Sequence, residues 1–336
     1  MSRLVLVTGA AGEVGQRLVA RLLADGHRVR GLVLPRDPLR SRLDGLAVDL
    51  VEGDVRTPMS LIPAVEGVDT VLHLAAVILG RDPSLLDAVN RAGTAHLVAA
   101  AAAAQVRHFI YVSSASVVYP RLTPYGRSKW QAERVVASEP RMRHTIVRPT
   151  LVYDDSGGGQ EFALFRDYLR RFPIVPFIGP TRGPRAAKKR PVHASDVVDA
   201  LARMVGNPGT WGQTLNISGP ETITLADLGR RLLSLDNHPK TFLPVPVAFC
   251  RFAAAALGAI MNDPPLTPYG IAGFTNHADL DPSETMKLLG WQPRDLDTGL
   301  RALGATQPDG LPWKDHPIVE WSNARAAAPS AEGRSE

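Results

Sequence analysis

The chain has 336 residues, 45% of them hydrophobic and 21% charged, and its 38 basic and 33 acidic side chains give a formal net charge of +5. This composition excludes a disordered chain, and the small positive excess does not favour nucleic acid as a partner. The single cysteine, Cys250, excludes an intramolecular disulfide and a thiolate zinc cage, and we expect no bound metal. Because the N-terminus also lacks the pattern of a secretory signal, a reducing cytoplasmic location is predicted.

The first 150 residues alternate short β-branched segments with longer amphipathic or alanine-rich segments. Strands are predicted at residues 3–7, 28–34, 47–52, 70–74, 108–113 and 145–148, and helices at 14–25, 83–105 and 125–138. This rhythm implies right-handed crossovers and a parallel sheet with helices on both faces. The sequence therefore predicts an α/β protein with a doubly wound parallel sheet of the Rossmann type and a ligand crevice at the carboxyl ends of its strands.

Beyond residue 150 the pattern changes, because glycines and prolines interrupt shorter segments. We predict that residues 1–150 form the dinucleotide-binding domain, that 190–205 return to it, and that 151–323 form mainly a smaller, discontinuous substrate cap. Residues 324–336 have the composition of a disordered tail. Residues 245–261 are apolar apart from Arg251 and too few to span a membrane, so we predict a buried helix there, with membrane-surface contact as the alternative.

The first predicted strand ends in a glycine-rich turn that leads directly into a helix. In such a turn Gly9 permits the tight bend, Gly12 lets a pyrophosphate approach the backbone, and Gly15 lets helix and strand pack closely. The phosphates would lie at the helix N-terminus. The predicted dinucleotide-binding residues of this turn are Thr8, Gly9, Ala11, Gly12, Glu13, Val14 and Gly15.

The residues after the second predicted strand give conflicting signals about the cofactor. Arg36 and Arg40 could face a 2′-phosphate, whereas Asp37 lies at roughly the twenty-residue offset expected of a carboxylate that binds the ribose of NAD. Because Asp37 lies beyond Pro35, past the apparent end of the strand, we favour NADP and keep NAD as the alternative.

The third predicted strand is followed by Asp54 and Val55. Asp54 is placed to meet an adenine amino group, and Val55 to pack on the adenine ring. An aspartate that only stabilises a turn would have the same spacing, so both interpretations of Asp54 remain open.

A tyrosine and a lysine lie one helical turn apart near the end of the fifth predicted strand. Tyr125 and Lys129, at i and i+4, share one face of a helix. An ammonium beside a phenol favours the phenolate and lowers the pKa of the tyrosine from its usual value near 10. Serine hydroxyls from residues 113–116 can hydrogen-bond the reacting oxygen. This set predicts general acid/base catalysis by Tyr125.

Further motifs follow one another in order along the chain. They are the glycine turn, His73-Leu74-Ala75-Ala76, Asn90 with Gly93-Thr94, Tyr125 with Lys129, Arg148-Pro149, Arg190-Pro191-Val192-His193 with Asp196, and Leu289-Gly290-Trp291-Gln292-Pro293. From about Leu4 to Leu303 the chain resembles the extended short-chain dehydrogenase/reductases, the NAD-dependent epimerase/dehydratase group.

The resemblance implies roles for individual residues. Tyr125 would be the general acid/base, Lys129 would tune it and hold the nicotinamide ribose, and Ser114, or Ser116 as the alternative, would orient the substrate oxygen. Arg190 matches the position at which nucleotide-sugar members contact substrate phosphate. The resemblance also implies a homodimer. The remaining cofactor contacts would come from Leu74, Ala75, Ala76, Asn90 and Pro149.

The predicted function is that of an NAD(P)-dependent oxidoreductase that moves a hydride between nicotinamide and a carbinol or carbonyl carbon. The alternatives are a nucleotide-sugar epimerase or dehydratase and a non-catalytic dinucleotide-binding scaffold. Residues 182–190 contain five basic side chains and no acidic one, a number equal to the net charge of the chain. This segment predicts an anionic or nucleotide-linked substrate. A short loop before Tyr125 favours a bulky one.

Overall fold

The computed structural model describes residues 2–78, 82–154, 160–261, 264 and 266–305, so the predicted tail at 324–336 lies outside the described residues. The strands are β1 (Leu4–Thr8), β2 (Arg28–Val33), β3 (Asp49–Glu52), β4 (Thr70–His73), β5 (His108–Val112), β6 (Arg143–Pro149), β7 (Val152–Tyr153), β8 (Ile174–Ile178), β9 (Lys188–Lys189), β10 (Val192–His193), β11 (Thr214–Ile217), β12 (Ile223–Thr224) and β13 (Thr241–Val245). The helices are α1 (Glu13–Ala24), α2 (Ile62–Val65), α3 (Pro83–Leu86), α4 (Gly93–Ala103), α5 (Pro124–Ala137), α6 (Gln160–Arg171), α7 (Ala194–Met204), α8 (Leu225–Leu235), α9 (Val247–Ile260), α10 (Pro268–Thr275), α11 (Ser283–Leu289) and α12 (Leu296–Ala305). A π-helical segment, Asp87–Ala92, joins α3 to α4.

The central sheet has seven parallel strands in the order β11-β6-β5-β4-β1-β2-β3. The chain runs outward from β1 to β2 and β3, then crosses to β4 on the other side of β1. This reversal opens a crevice at the carboxyl ends of β1 and β4. The predicted doubly wound parallel sheet is therefore confirmed.

Both faces of the sheet are buried, because alternate side chains of each strand point to opposite sides. On β1, Val5 and Val7 pack in a core with α1 and α7, whereas Leu6 packs in a second core with α2, α4 and α5. On β4, Leu72 joins the first core and Val71 the second. Each of these side chains is fully buried, which accounts for the continuous apolar composition of the strands.

The second half of the chain contributes to both parts of the molecule. Residues 190–205 contain α7, which packs against α1, and the strand that joins the central sheet from this half is β11. The cap has its own core, in which α6, α8 and α12 surround buried aromatic side chains such as Phe162 and Phe177.

Helix α9 corrects the prediction of a buried helix over 245–261. Only Cys250 and Ala254 are buried on it, whereas Phe249 is 62% and Phe252 74% exposed. The helix packs on the rim of the cap through one narrow stripe, so its apolar composition does not translate into burial. In the part of the chain that the structure describes, no helix is long and apolar enough to cross a membrane.

Candidate active site

The predicted cofactor residues meet at the carboxyl edge of the sheet. Thr8 ends β1, Leu74, Ala75 and Ala76 follow β4, and Pro149 ends β6. Ser114 lies two residues after β5. Parallel strands that end together thus bring segments distant in sequence to one crevice.

The glycine turn has the shape that a dinucleotide phosphate needs. Gly9 has a positive φ of 68°, and a Cβ added to Gly15 would lie 2.1 Å from the carbonyl oxygen of Gly9. Helix α1 begins at once, and Gly12 offers no side chain to cap it. Its first N–H groups and the positive end of its dipole are therefore available to an anion, so this site fits the pyrophosphate of NAD(P).

The segment after β2 turns sharply at Pro35 and Arg36. The N–H of Asp37 donates to the carbonyl of Leu34, and Arg36 has a positive φ of 59°, a position that usually favours glycine or asparagine. The Asp37 carboxylate accepts a hydrogen bond from the N–H of Leu39, at 2.9 Å, within its own turn. The guanidinium of Arg40 pairs with Glu52 at 2.8 Å.

Arg42 is a cofactor candidate that the sequence did not reveal. It pairs with Glu13 at the start of α1, at 2.7 Å, and its guanidinium lies 3.5 Å from the carbonyl oxygen of Ala11. Its position beside the glycine turn depends on the short helical turn at residues 40–43, which sequence periodicity does not specify.

Asp54 and Val55 lie at the turn after β3. The Asp54 carboxylate accepts hydrogen bonds from the backbone N–H of Arg56, at 2.9 Å, and from its guanidinium, at 2.7 Å. Val55 is buried against α4, where a Cβ on Gly93 would come within 2.6 Å of it. Asp54 thus stabilises a turn, and its contact with adenine stays a prediction.

A buried hydrogen-bond chain fixes the segment after β4. The Nδ1 of His73 lies 2.7 Å from the hydroxyl of Thr8, and its Nε2 lies 3.0 Å from that of Thr94. Since the hydroxyl of Thr94 donates to the carbonyl of Asn90, it accepts from Nε2 of His73, and Nδ1 accepts from the hydroxyl of Thr8, which itself accepts from the N–H of Ala75. Burial, helped by the charge of Lys129, lowers the pKa of His73 to about 3, so the imidazole is neutral.

Asn90 extends this chain towards α5. Its amide nitrogen donates to the carbonyl of Val77, at 2.9 Å, and to the hydroxyl of Ser128, at 3.0 Å. Its amide oxygen accepts from the N–H of Val77, and the side chain is almost fully buried. Asn90 thus holds the segment after β4 against α5, and its contact with a cofactor stays a prediction.

The hydroxyl of Ser114 is near enough to the phenol of Tyr125 to lower the pKa of the tyrosine. Ser114 also accepts hydrogen bonds from the N–H and hydroxyl of Ser116, at 3.1 and 3.0 Å. Tyr125 stands in the first turn of α5, which Thr123 caps by accepting from the N–H of Gly126 at 3.0 Å. The structure thus places Ser114 next to Tyr125, with Ser116 behind it.

Lys129 has partners other than the phenol of Tyr125. Its ammonium donates to the carbonyl of Val112, at 2.7 Å, and lies 4.3 Å from the centre of the Tyr111 ring. Burial lowers the pKa of Lys129 to about 7, and Glu133 opposes this shift.

The pKa of Tyr125 departs from the prediction. Burial, together with the negative charge of Glu161, raises the pKa of Tyr125 above its usual value, and the hydroxyl of Ser114 only partly offsets this rise. The expected lowering by Lys129 is not found, because desolvation dominates the pKa of the phenol and the Lys129 ammonium donates to the carbonyl of Val112.

Two charged residues that the sequence did not single out, Glu161 and Lys189, influence each other's pKa, and Glu161 also influences the pKa of Tyr125. Solvent reaches Glu161, yet the surrounding protein raises the pKa of its carboxyl, and Lys189 opposes the rise. Lys189 is buried, donates to the carbonyl of Asn276 at 3.0 Å, and has its pKa lowered by burial to about 8. Its ammonium lies 6.0 Å from the centre of the Tyr119 ring.

The basic side chains of residues 182–190 differ in their exposure and in their hydrogen-bond partners. Arg182, Arg185 and Lys188 are exposed, but Lys189 is buried as described above. The guanidinium of Arg190 donates to the hydroxyl of Thr222, at 2.8 Å, and lies 3.5 Å from Asp281. Among the described residues, no group of histidine, cysteine and acidic side chains could hold a metal ion.

Comparisons with known proteins agree with this geometry. Residues 9–171 match a family model described as NAD(P)H-binding. Ceramide reductase from Caulobacter vibrioides is 34% identical over 83% of this chain and 86% of its own length. Sterol demethylase protein B from Methylococcus capsulatus is 31% identical over 72% of this chain and 77% of its own length.

A solved structure shares the fold at lower identity. The dTDP-glucose 4,6-dehydratase DesIV from Streptomyces venezuelae, crystallised with NAD bound, matches 90% of this chain and 96% of its own chain. The TM-score is 0.70 and the sequence identity 22%. The likeness therefore extends over both the sheet and the cap.

Proposed function

The chain belongs to the extended short-chain dehydrogenase/reductase family, the NAD-dependent epimerase/dehydratase group, and on that basis we propose that it is a carbonyl reductase or carbinol dehydrogenase. It has an NAD(P)H-binding domain, and its relatives include NAD-dependent reductases, epimerases and dehydratases. The finer assignment to net oxidoreduction rests on the site around Tyr125.

One observation carries the proposal: the phenol of Tyr125, in the first turn of α5, and the hydroxyl of Ser114, just after β5, come together at the carboxyl edge of the sheet. When bound, the nicotinamide supplies or accepts the hydride, and its oxidised form adds a positive charge. Tyr125 donates its proton to a carbonyl oxygen, or takes one from a carbinol, while Ser114 orients that oxygen. Because the protein alone raises the pKa of Tyr125, the phenol stays protonated and suits carbonyl reduction.

Lys129 and Asn90 act as positioning residues in this scheme. Lys129 fixes the end of β5 through the carbonyl of Val112. Asn90 fixes α5 through Ser128, whose hydroxyl donates to the carbonyl of Tyr125 at 2.8 Å. Together they restrict the phenol to one orientation, which is the main contribution a protein makes when the cofactor carries the redox chemistry.

NADPH is the cofactor we favour over NADH. The Asp37 carboxylate is used in its own turn, whereas Arg36 stands in the turn after β2 and Arg42 pairs with Glu13 beside the glycine turn. Arginine suits a 2′-phosphate, and an acidic residue suits a free ribose hydroxyl. Arg36→Ala should raise the KM for NADPH and leave that for NADH unchanged; equal changes for both cofactors would contradict the preference.

The substrate class follows from the relatives. Ceramide reductase, by its name, reduces a lipid, and we infer a lipid carbonyl for this chain as well. The second candidate is a nucleotide-sugar epimerase or dehydratase, which the exposed Arg182, Arg185 and Lys188 would favour. NADPH and NADH oxidation assays with long-chain ketones, aldehydes and nucleotide sugars distinguish the two classes.

The test of the chemistry is Tyr125→Phe. We expect a loss of about 10² to 10⁴ in kcat with cofactor binding unchanged. Tyr269→Phe is a matched control, because Tyr269 stands in a second Thr-Pro-Tyr-Gly segment at the start of α10. Wild-type turnover by Tyr125→Phe would refute the catalytic role and favour a non-catalytic scaffold.

A further inference from the structure

The cap carries a group of exposed large apolar side chains on β8, β13 and α9. We call them the apolar cap surface; its members are Ile174, Leu243, Phe249, Phe252, Ile260 and Met261. Phe252 is 74% exposed and Ile260 81%, which are extreme values for such residues. Single exposed apolar residues need no explanation, but a group on adjacent elements indicates an interaction surface.

Helix α9 arranges its side chains in two stripes. Cys250 and Ala254, four residues apart, face the cap and pack with Ile178 and Ile271. Phe249, Phe252 and Ile260 lie on the outer side, since spacings of 3, 8 and 11 residues return to one face of an α-helix. The outward stripe of α9 is therefore apolar, the reverse of an ordinary surface helix.

The same surface continues onto the β8–β13 pair. Residues 174, 176 and 178 of β8 share one face with 241, 243 and 245 of β13, because side chains alternate along paired strands. Ile178 and Val245, at one end of this face, are covered by α9. Ile174 and Leu243 remain 55% and 57% exposed, so α9 leaves part of the face uncovered.

The charge of this region selects among possible occupants. Residues 237–261 contain no acidic side chain, whereas Arg251 stands exposed between Phe249 and Phe252. A symmetric dimer through this surface would bring Arg251 against an acid-free copy of itself and bury an unpaired cation. A partner with an apolar interior and a phosphate-rich outer layer can bury the phenylalanines and pair with the arginine.

We propose that the apolar cap surface docks on anionic phospholipid membranes, with α9 lying in the plane of the interface. A 14-residue helix is about 21 Å long, shorter than the roughly 30 Å hydrocarbon core, so it suits the interface and not a span. Phe249 and Phe252 enter the acyl boundary, and Arg251 remains at the level of the lipid phosphates. Docking would give the crevice access to the membrane-borne substrate proposed above.

The test is co-sedimentation of the full chain with vesicles of phosphatidylcholine, with and without phosphatidylglycerol. We expect binding to the anionic vesicles, at least about tenfold weaker in Phe249→Ser/Phe252→Ser. Arg251→Gln should lose about fivefold on anionic vesicles only. Because these side chains are exposed, the variants should keep the wild-type Tm.

The matched control is Met59→Ser/Ile62→Ser, which removes two exposed apolar side chains from the dinucleotide-binding part and should bind vesicles as the wild type does. Tyr125→Phe should also bind normally, so failure of the chemistry and failure of docking are separable. The proposal is overturned if the wild type does not bind anionic vesicles, or if the Phe249→Ser/Phe252→Ser variant binds them equally well. It is also overturned if the wild type is a dimer in solution and that variant is a monomer.

Discussion

Tyr125 and Lys129 lie one turn apart on α5, yet their polar groups have different partners. The pKa of the phenol responds to the hydroxyl of Ser114, whereas the ammonium donates to the carbonyl of Val112. Spacing along a helix predicts a shared face but not the direction of a long, flexible side chain. At the scale of single residues, burial therefore decides the protonation states, and it keeps Tyr125 a phenol and makes Lys129 easier to deprotonate.

The two serines near Tyr125 are predicted to contribute unequally. Ser114→Ala removes the hydroxyl that lowers the pKa of the phenol and should lower kcat by about tenfold to a hundredfold. Ser116→Ala removes only a hydrogen bond to Ser114 and should retain most activity. Each variant loses one hydroxyl group, so their steady-state kcat values can be compared directly. A larger loss of kcat in Ser116→Ala than in Ser114→Ala would indicate that Ser116 orients the substrate oxygen.

Glu161 is predicted to shift the pH dependence of the reaction. Its negative charge raises the pKa of Tyr125, so Glu161→Gln should lower the apparent pKa of the tyrosine. The high-pH fall in carbonyl reduction, where the phenol loses its proton, should then begin at lower pH. Asp167→Asn, an acid-to-amide change elsewhere on α6, serves as the control. A pH profile unchanged by Glu161→Gln would contradict the electrostatic role.

At the scale of elements, α5 forms where the sequence places it because its start is locally encoded. Pro124 is compatible with the first turn, and Thr123 accepts from the N–H of Gly126. The same four residue types recur at α10, where Thr267 accepts from the N–H of Gly270 at 3.1 Å. Local sequence thus starts both helices, and only the surrounding sheet places one of them at the candidate active site.

This repetition permits a matched test of helix positioning. Thr123→Ala and Thr267→Ala should each destabilise the protein by about 1 kcal/mol, measured by urea or thermal unfolding. Only Thr123→Ala should also lower kcat, because it loosens the turn that holds Tyr125. Equal losses of kcat in both variants would indicate general destabilisation and not positioning.

At the scale of the whole molecule, buried polar side chains join elements that hydrophobic packing alone would leave free to slide. The indole N–H of Trp291 donates to the carbonyl of Asp196, at 3.0 Å, and the Asp196 carboxylate pairs with Arg294, at 3.0 Å. These contacts hold residues 291–294, which precede α12, against α7. The homodimer and the cytoplasmic location stay predictions.

Two buried histidines predict how the fold responds to acid. Burial lowers the pKa of His73 to about 3 and that of His108 to about 4, so the native state binds fewer protons than the unfolded chain below about pH 6.5. Their contribution to stability is complete above that pH and decreases on acidification, by up to about 1.4 kcal/mol per pH unit for each imidazole.

The measurement is the free energy of unfolding between pH 7 and pH 5. His108→Gln keeps a donor for the hydroxyl of Thr145, which lies 2.8 Å from Nε2, but cannot titrate, so its pH dependence should be shallower. His238→Gln, at an exposed position, should match the wild type. Parallel curves for all three proteins would contradict the assignment.

The sequence by itself determined the elements and the cofactor-binding turn. The first six strands of the central sheet and helices such as α1 and α5 lie within a few residues of their predicted positions, because hydrophobic periodicity and capping are local properties, whereas β11 was not predicted. The glycines around Gly12 were likewise sufficient to predict phosphate binding, since their need for close backbone approach follows from the turn alone.

Only the tertiary structure decided which side chains meet and which are exposed. The charge of Glu161 acts on both Tyr125 and Lys189, which are far from each other in sequence, and both amide hydrogens of Asn90 are used inside the protein. Helix α9 has the composition of a buried helix but packs through one stripe on the rim. The physical reason is common to these cases: a local pattern states what a side chain can bury or bond, whereas long-range packing determines its partner.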